Sequence, residues 1–339
     1  LGIEAEFYAF RADAVERALS GDGYLTPIAR SGAAKPTPAY DLESTIDAMP
    51  FLHDMARHMQ ETGFGLFSFD HEGGEGQFEF DFDYAPALEM ADRITLFRLL
   101  ARQVAKSHGL VATFMPKPYS ASWGSGHHYN MSLSDVESGA NLFRDSDDPT
   151  GKGWSKTAYS FVAGILRHAR SIAAVATPTV NSYKRLAPRL ADGSISWAPV
   201  WAAYGDNNRS CMLRLPHNRP AIENRAVDSA ANTHLAAALM LAAGLEGIAE
   251  GLLPGDPAHT ATYAWEGSGG AGAAGAAGDR VRLPRTLLEA IDAFEEDPLI
   301  HDVFAPSFIA DYVGMKREEW DSYHAEVSDW ERKRYLLDL

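Results

Sequence analysis

Acidic side chains recur along this chain at spacings that could gather oxygen ligands. Glu4 and Glu6 stand two apart in Gly2 to Phe10 (GIEAEFYAF), so on a strand they share a face. Glu72 sits in the glycine-rich DHEGGEG of residues 70–76, and Glu79 follows in QFEFDF. His128 comes just after Gly124 and Gly126, and Glu223 lies two before Arg225. Taken singly, each acid reads as a solvated strand-edge residue and His128 as a structural histidine. As a set on inner strand faces they need positive charge to neutralise them. Mg²⁺ or Mn²⁺ would serve, because hard cations prefer carboxylate oxygens and Mn²⁺ tolerates an imidazole.

A second kind of group is concentrated between Asn181 and Arg225. Arg185, Arg189, Arg209, Arg214, Arg219 and Arg225 crowd there, with Lys184, in a chain whose net charge is -16. Guanidinium forks match carboxylate and phosphate oxygens, so the stretch reads as a local anion site. Metal ligands combined with arginines are what phosphoryl transfer needs, since the moving group's charge must be offset on several sides. Neither a Walker P-loop nor a Rossmann fingerprint is present. DHEGGEGQ is too acidic to cradle phosphate, so a nucleotide would be held through metal and arginine. Arg189 and Arg219 receive no role and read as solvated. Cys211, the single cysteine, reads as a small buried apolar residue on a strand, in preference to a nucleophile.

The elements that must position these groups alternate irregularly, which predicts one mixed α+β domain over residues 1–339. Strands are predicted at Gly2–Phe10, Gly65–Phe69, Gln77–Phe82, Leu110–Met115, His128–Leu133, Arg209–Leu215 and Ala221–Arg225. Helices are predicted at Asp41–Glu61, disturbed at Pro50, and at Pro86–His108, Trp154–Ala174, Asp228–Leu252, Thr286–Glu295 and Pro306–Tyr335. Residues 20–40 read as loop, and the low-complexity run Glu266–Gly278 as a mobile loop. The acidic balance argues against nucleic acid and anionic membrane surfaces as partners. No apolar run is long enough to span a bilayer. No disulfide is possible within the chain and no signal peptide is visible, so a cytoplasmic location is expected.

Several motifs, in this order, make the chain resemble the glutamine synthetase family over essentially its whole length. They are GIEAEF at 2–7, HEGGEGQFE at 71–79, PKP at 116–118, GSGHHYNMSL at 124–133, NSYKRL at 181–186, NNRSCMLRLP at 207–216, ENR at 223–225, AGLEGI at 243–248 and VSDWERKRY at 327–335. The resemblance implies a curved, mainly antiparallel sheet backed by helices. It also implies a homo-oligomeric ring, commonly a dodecamer, and an N-terminal β-grasp domain that this chain, starting at Leu1, is expected to lack. Carried over residue by residue, it makes Glu6, Glu72 and Glu79 ligands of a first metal, and Glu4, His128 and Glu223 ligands of a second. Arg185 would clamp the glutamate α-carboxylate near the Gly124 backbone. Arg209 and Arg225 would stabilise the transferred phosphoryl group. Arg214, with Ser132 and Asn130, would lie at the ATP site.

Three departures stand out. Asn130 replaces a histidine usual in the family, and Asn232-Thr233-His234-Leu235 replaces the common NPYL. Trp197, just before Ala198-Pro199, stands where ammonia-using members carry a glutamate that encloses ammonium and takes its proton. The resemblance implies ATP-dependent formation of γ-glutamyl phosphate and its capture by an amine. Trp197 favours a small alkylamine through cation–π contact, methylamine first, as in γ-glutamylmethylamide synthetases; ethanolamine or a polyamine stays open. If Trp197 is only a packing residue, the chain is a glutamate–ammonia ligase. A non-catalytic nucleotide-binding or structural relative is the third reading, and the intact glutamates and His128 speak against it.

Overall fold

The alternation in GIEAEFYAF becomes the strand on which the rest of the sheet is assembled. The structure, a computed structural model, describes residues 1–21, 24–28, 38–265 and 280–337. The first strand, β1 (Gly2–Arg11), is followed by α1 (Ala12–Leu19) and α2 (Leu42–Glu61). Next come the hairpin β2 (Leu66–His71) and β3 (Gln77–Phe82), then α3 (Ala87–Ser107), β4 (Leu110–Thr113) and β5 (His127–Met131). A helical section follows: α4 (Lys156–Arg167), α5 (Ala169–Ala176) and the single turn α6 (Ser182–Arg185). Three short strands, β6 (Tyr204–Asp206), β7 (Leu213–Leu215) and β8 (Ile222–Asn224), lead into α7 (Thr233–Glu250). The chain closes with α8 (Leu287–Glu296), α9 (Pro298–Val303), α10 (Pro306–Ala325) and α11 (Asp329–Tyr335).

The strands form one open sheet in the order β2-β3-β1-β5-β8-β7-β6, with β4 paired to the far end of β1. It is mixed: β6 and β7 run parallel, whereas the other strand pairings are antiparallel. Ile3, Ala5, Phe7 and Ala9 belong to the main apolar core. Phe7 meets Phe51, Phe78, Phe80, Phe97 and Phe114 at centroid distances of 5.5–6.3 Å. Each buried ring of this kind stabilises by roughly 1.5–3 kcal/mol, so α2 and α3 are held firmly against this face. The opposite face of β1 carries Glu4, Glu6 and Tyr8.

The predicted α+β class and most element positions are observed, with informative differences. α2 is capped by Asp41, which accepts from Ser44 N, and it runs on through Pro50. The helix expected at Trp154–Ala174 is two helices that part at His168, and the last predicted helix parts at Glu326–Ser328. The strand expected at Arg209–Leu215 contracts to β7, which leaves Cys211 buried but off the strand. Burial raises the Cys211 thiol to about 12, as a packing residue requires. The whole of the predicted 266–278 loop, together with residues 22–23 and 29–37, lies outside the described residues. Among the described residues no helix is long and apolar enough to cross a membrane.

Helices α4 and α7 approach closely because glycine replaces bulk where they cross. A Cβ on Gly164 would strike Ala243 O, and one on Gly247 would strike Ser160 O. This packing fixes the layer beneath β5 and β8, the strands that carry His128 and Glu223.

Candidate active site

Register places the chemistry. Across the sheet Glu6 faces Glu79 and Glu4 faces His128. Glu223 faces Asn130 on one side and Arg214 on the other. Every one of these residues stands at the alternate positions that core residues do not occupy, so the sheet presents a polar row on one face. The hairpin turn adds Glu72, whose backbone N–H donates to Gln77 O at 2.8 Å.

The row lines a cleft of about 810 Å³. Of the residues singled out from sequence, Glu4, Glu6, Glu72, Glu79, His128, Asn130, Ser132, Gly124, Arg185, Trp197, Arg209, Arg214 and Arg225 all line it. Glu223 lies under its floor, fully buried. Residues separated by more than two hundred positions are therefore brought into one space.

Two electrostatic halves can be told apart. In the first, His128 Nδ1 lies 2.9 Å from Glu4 Oε2 and 3.9 Å from Glu223 Oε1. Arg214 Nη1 donates to Glu223 Oε2 at 2.6 Å, and Arg225 donates to the other oxygen. Burial alone would raise Glu4, but His128 and the guanidinium groups of Arg219 and Arg225 overcome it and hold it well below the carboxylate range. Glu223 is lowered in the same way, burial being outweighed chiefly by Arg225, with help from His128 and Arg214. In the second half the cations are outweighed: His128 Nε2 lies 3.8 Å from Glu6 Oε1, and Arg185 and Arg225 act on Glu6 from farther off. Burial, followed by repulsion from Glu72, pushes Glu6 up to about 8. Burial and the neighbouring acids likewise push Glu79 well up, and burial raises Glu72.

The first half fits a divalent cation. Ligand atoms of Glu4, His128 and Glu223 lie within 4.8 Å of one another, two hard carboxylates with one imidazole. Glu6 is buried and Glu72 and Glu79 are half-buried; these acids repel one another, and a cation would relieve that repulsion.

The arginines differ in what they are free to do. Arg185 is buried, with Nη1 and Nη2 donating to the carbonyls of Ala226 and Arg225 at 2.9 and 3.1 Å. Arg225 is committed to Glu223 and to Arg209 O. The Arg209 side chain is exposed and makes no hydrogen bond or ion pair among the described residues.

Arg219 corrects the sequence reading, which left it solvated. Its Nη2 donates to Asn130 Oδ1 at 2.8 Å and to Glu4 Oε1 at 3.0 Å, and approaches Glu223 Oε2 at 3.3 Å. Asn130 in turn donates to Glu4 Oε1 at 3.1 Å, so it links Arg219 to the acid. Arg189 is the solvated one, donating only to Gly193 O. Sequence reasoning also missed Asp70, Asp81 and Trp123, all on the cleft wall. The alternation of QFEFDF could have found Asp81, which shares Glu79's face; burial raises it to about 6.

Comparison with known proteins finds relatives over nearly the whole chain. Residues 1–335 match the family model of the glutamine synthetase catalytic domain. A glutamate–methylamine ligase of Methyloversatilis universalis is 37% identical over 335 residues, covering 99% of this chain and 72% of the relative. A glutamine synthetase of Rhizobium leguminosarum bv. phaseoli is 35% identical over 336 residues, again 99% and 72%. One of Halobacterium salinarum is 37% identical over 339 residues, 99% and 69%. A solved structure titled as a GmaS/ADP complex superposes with a TM-score of 0.85 at 35% identity, over 99% of this chain and 72% of that one. Matched by that family model over residues 1–335 and by relatives at 35–37% identity over 99% of its length, the chain belongs to the glutamine synthetase family.

Proposed function

We propose that the cleft joins glutamate to a small alkylamine, methylamine first, at the expense of ATP. The γ-carboxylate of glutamate attacks the γ-phosphorus of ATP, the bond to ADP breaks, and γ-glutamyl phosphate forms. The free amine nitrogen then attacks the acyl carbon, the carbon–oxygen bond to phosphate breaks, and the N–H proton leaves with the phosphate, giving a γ-glutamyl amide. The acyl phosphate replaces one difficult condensation by two easier displacements.

In this reading Glu4, His128 and Glu223 hold one Mg²⁺ or Mn²⁺ and Glu6, Glu72 and Glu79 another. The bound ions supply charge neutralisation around the phosphates and the glutamate carboxylate. Arg209, with its uncommitted guanidinium, meets the transferred phosphoryl group, and Arg225 supports it from the cleft floor. Arg185 faces the glutamate α-carboxylate beside Gly124, whose missing side chain leaves room for the Arg185 stem. Arg214, Ser132 and Asn130 face the nucleotide.

The observation that carries the choice of amine is Trp197. It lines the cleft and is 44% exposed, so an indole and not an acid forms this part of the wall. An indole attracts an alkylammonium but can take no proton from ammonium. Phosphate release with ATP and glutamate across a panel of amines tests this: kcat/KM for methylamine is expected to exceed that for ammonia. A higher value for ammonia would return the chain to the glutamate–ammonia ligase reading, which the similarly identical glutamine synthetases favour. Nucleotide binding without phosphate release under any amine would make it a non-catalytic relative.

A further inference from the structure

Trp197 does not stand alone. Its ring meets that of Trp123 edge to face, with centroids 6.4 Å apart and planes at 62°. Both line the cleft, and Trp123 packs over Gly73, the neighbour of Glu72 in the chain. Two indoles at an angle form an aromatic corner in a cleft that carboxylates also line. That is the chemistry that recognises an organic cation with a short alkyl group.

The mounting of Trp123 distinguishes this corner from a chance contact. The half-buried indole lies against Gly73, where any side chain would fall inside the ring. Its backbone is tied down on both sides. Tyr8 Oη donates to Trp123 O at 2.6 Å and Lys117 Nζ to Ser122 O. Lys117 is itself fixed by Asn181, which accepts from Lys117 N at 2.7 Å and donates to Lys117 O at 3.1 Å. Trp197 meanwhile has φ of +60°, a left-handed conformation unfavourable for a bulky residue. Such strain persists only where the surroundings hold it, and it concentrates at ligand clamps.

We infer that Trp123 is a specificity-determining residue, forming with Trp197 the corner that seats the alkyl group of the amine. This rests on the amine-ligase reading above and adds a second residue to it. The corner holds the alkylammonium by its apolar and π faces, while the cleft carboxylates face its nitrogen.

The test compares Trp123→Phe and Trp123→Leu with the unsubstituted protein, measuring KM for methylamine, ammonia, glutamate and ATP separately. Leucine fills the site without a ring, so Trp123→Leu is expected to raise the methylamine KM by about tenfold. The KM values for ammonia and ATP are expected to stay in place, and Trp123→Phe to keep most of the methylamine preference. Equal behaviour of the Phe and Leu variants would overturn the aromatic role. A rise in glutamate KM with the methylamine KM unmoved would assign Trp123 to the glutamate wall and also overturn it. If the unsubstituted protein itself prefers ammonia, the amine-ligase reading fails first and the corner falls with it. A methylamine preference that survives Trp123→Leu removes the corner alone.

Discussion

Glu223 concentrates more opposing charge than any other acid of the cleft. It accepts from Arg214 and Arg225 and lies near Arg219 and His128. Glu223→Ala strands buried guanidinium groups without a counter-charge, which costs about 3–5 kcal/mol. It is expected to lower the urea midpoint and to abolish one class of Mn²⁺ binding in calorimetric titration; unaltered stoichiometry would remove Glu223 from the ligand set. At this scale the sequence was legible wherever a side chain's neighbours follow from strand alternation. Glu4 and Glu6 could be placed on one face for that reason, whereas Glu79 and Glu223 joined them only through the pairing register. Arg219 could not: it sits in a loop after β7, and its partners Glu4 and Asn130 are 215 and 89 residues away. Trp123 was hidden for a similar reason, since only the bare turn at Gly73 makes its position intelligible.

Among the elements, the joint between α4 and α5 shows tertiary contacts overriding local preference. The residues from Trp154 to Ala174 read as one helix, but His168 breaks it. His168 Nδ1 lies 2.8 Å from Asp297 Oδ2 at the start of α9, and Nε2 meets Glu246 of α7. Burial works against the imidazolium, but the two carboxylates win and the pKa of His168 is raised. Burial likewise opposes the Asp297 carboxylate, and His168 and Ser171 overcome it and lower the pKa. The histidine's share of stability is therefore complete below its ordinary value of 6.5 and lost as pH rises through the raised folded value. The aspartate's share is complete above its ordinary 3.8 and lost as pH falls through the lowered value. The stability difference between the unsubstituted protein and His168→Gln, read from urea midpoints, is expected to be widest between these limits. A difference independent of pH would refute the linkage. The short strands β6, β7 and β8 were equally hard to delimit beforehand, because three residues carry too little alternation to fix an end.

Over the whole molecule, acidic residues outnumber basic ones by sixteen (46 Asp and Glu against 30 Lys and Arg). Part of that excess is stored in the cleft, where Glu6, Glu72 and Glu79 repel one another. Divalent cations should then stabilise the entire fold and not only the site. At about a hundred times its Kd, a single bound ion adds about 2.7 kcal/mol. Mn²⁺ is expected to raise the thermal midpoint and a chelator to reverse the gain; a midpoint indifferent to both would separate the acids from metal binding. The pairing of β1 has a consequence for how the protein is made. Its ten residues supply core on one face and ligands on the other, so a slip by one position would turn acids into the phenylalanine cluster and phenylalanines into the cleft. A chain in the wrong register thus loses its site and its core together. Refolded preparations should consist of competent and inert molecules with nothing between, and counting metal sites would count correctly threaded chains.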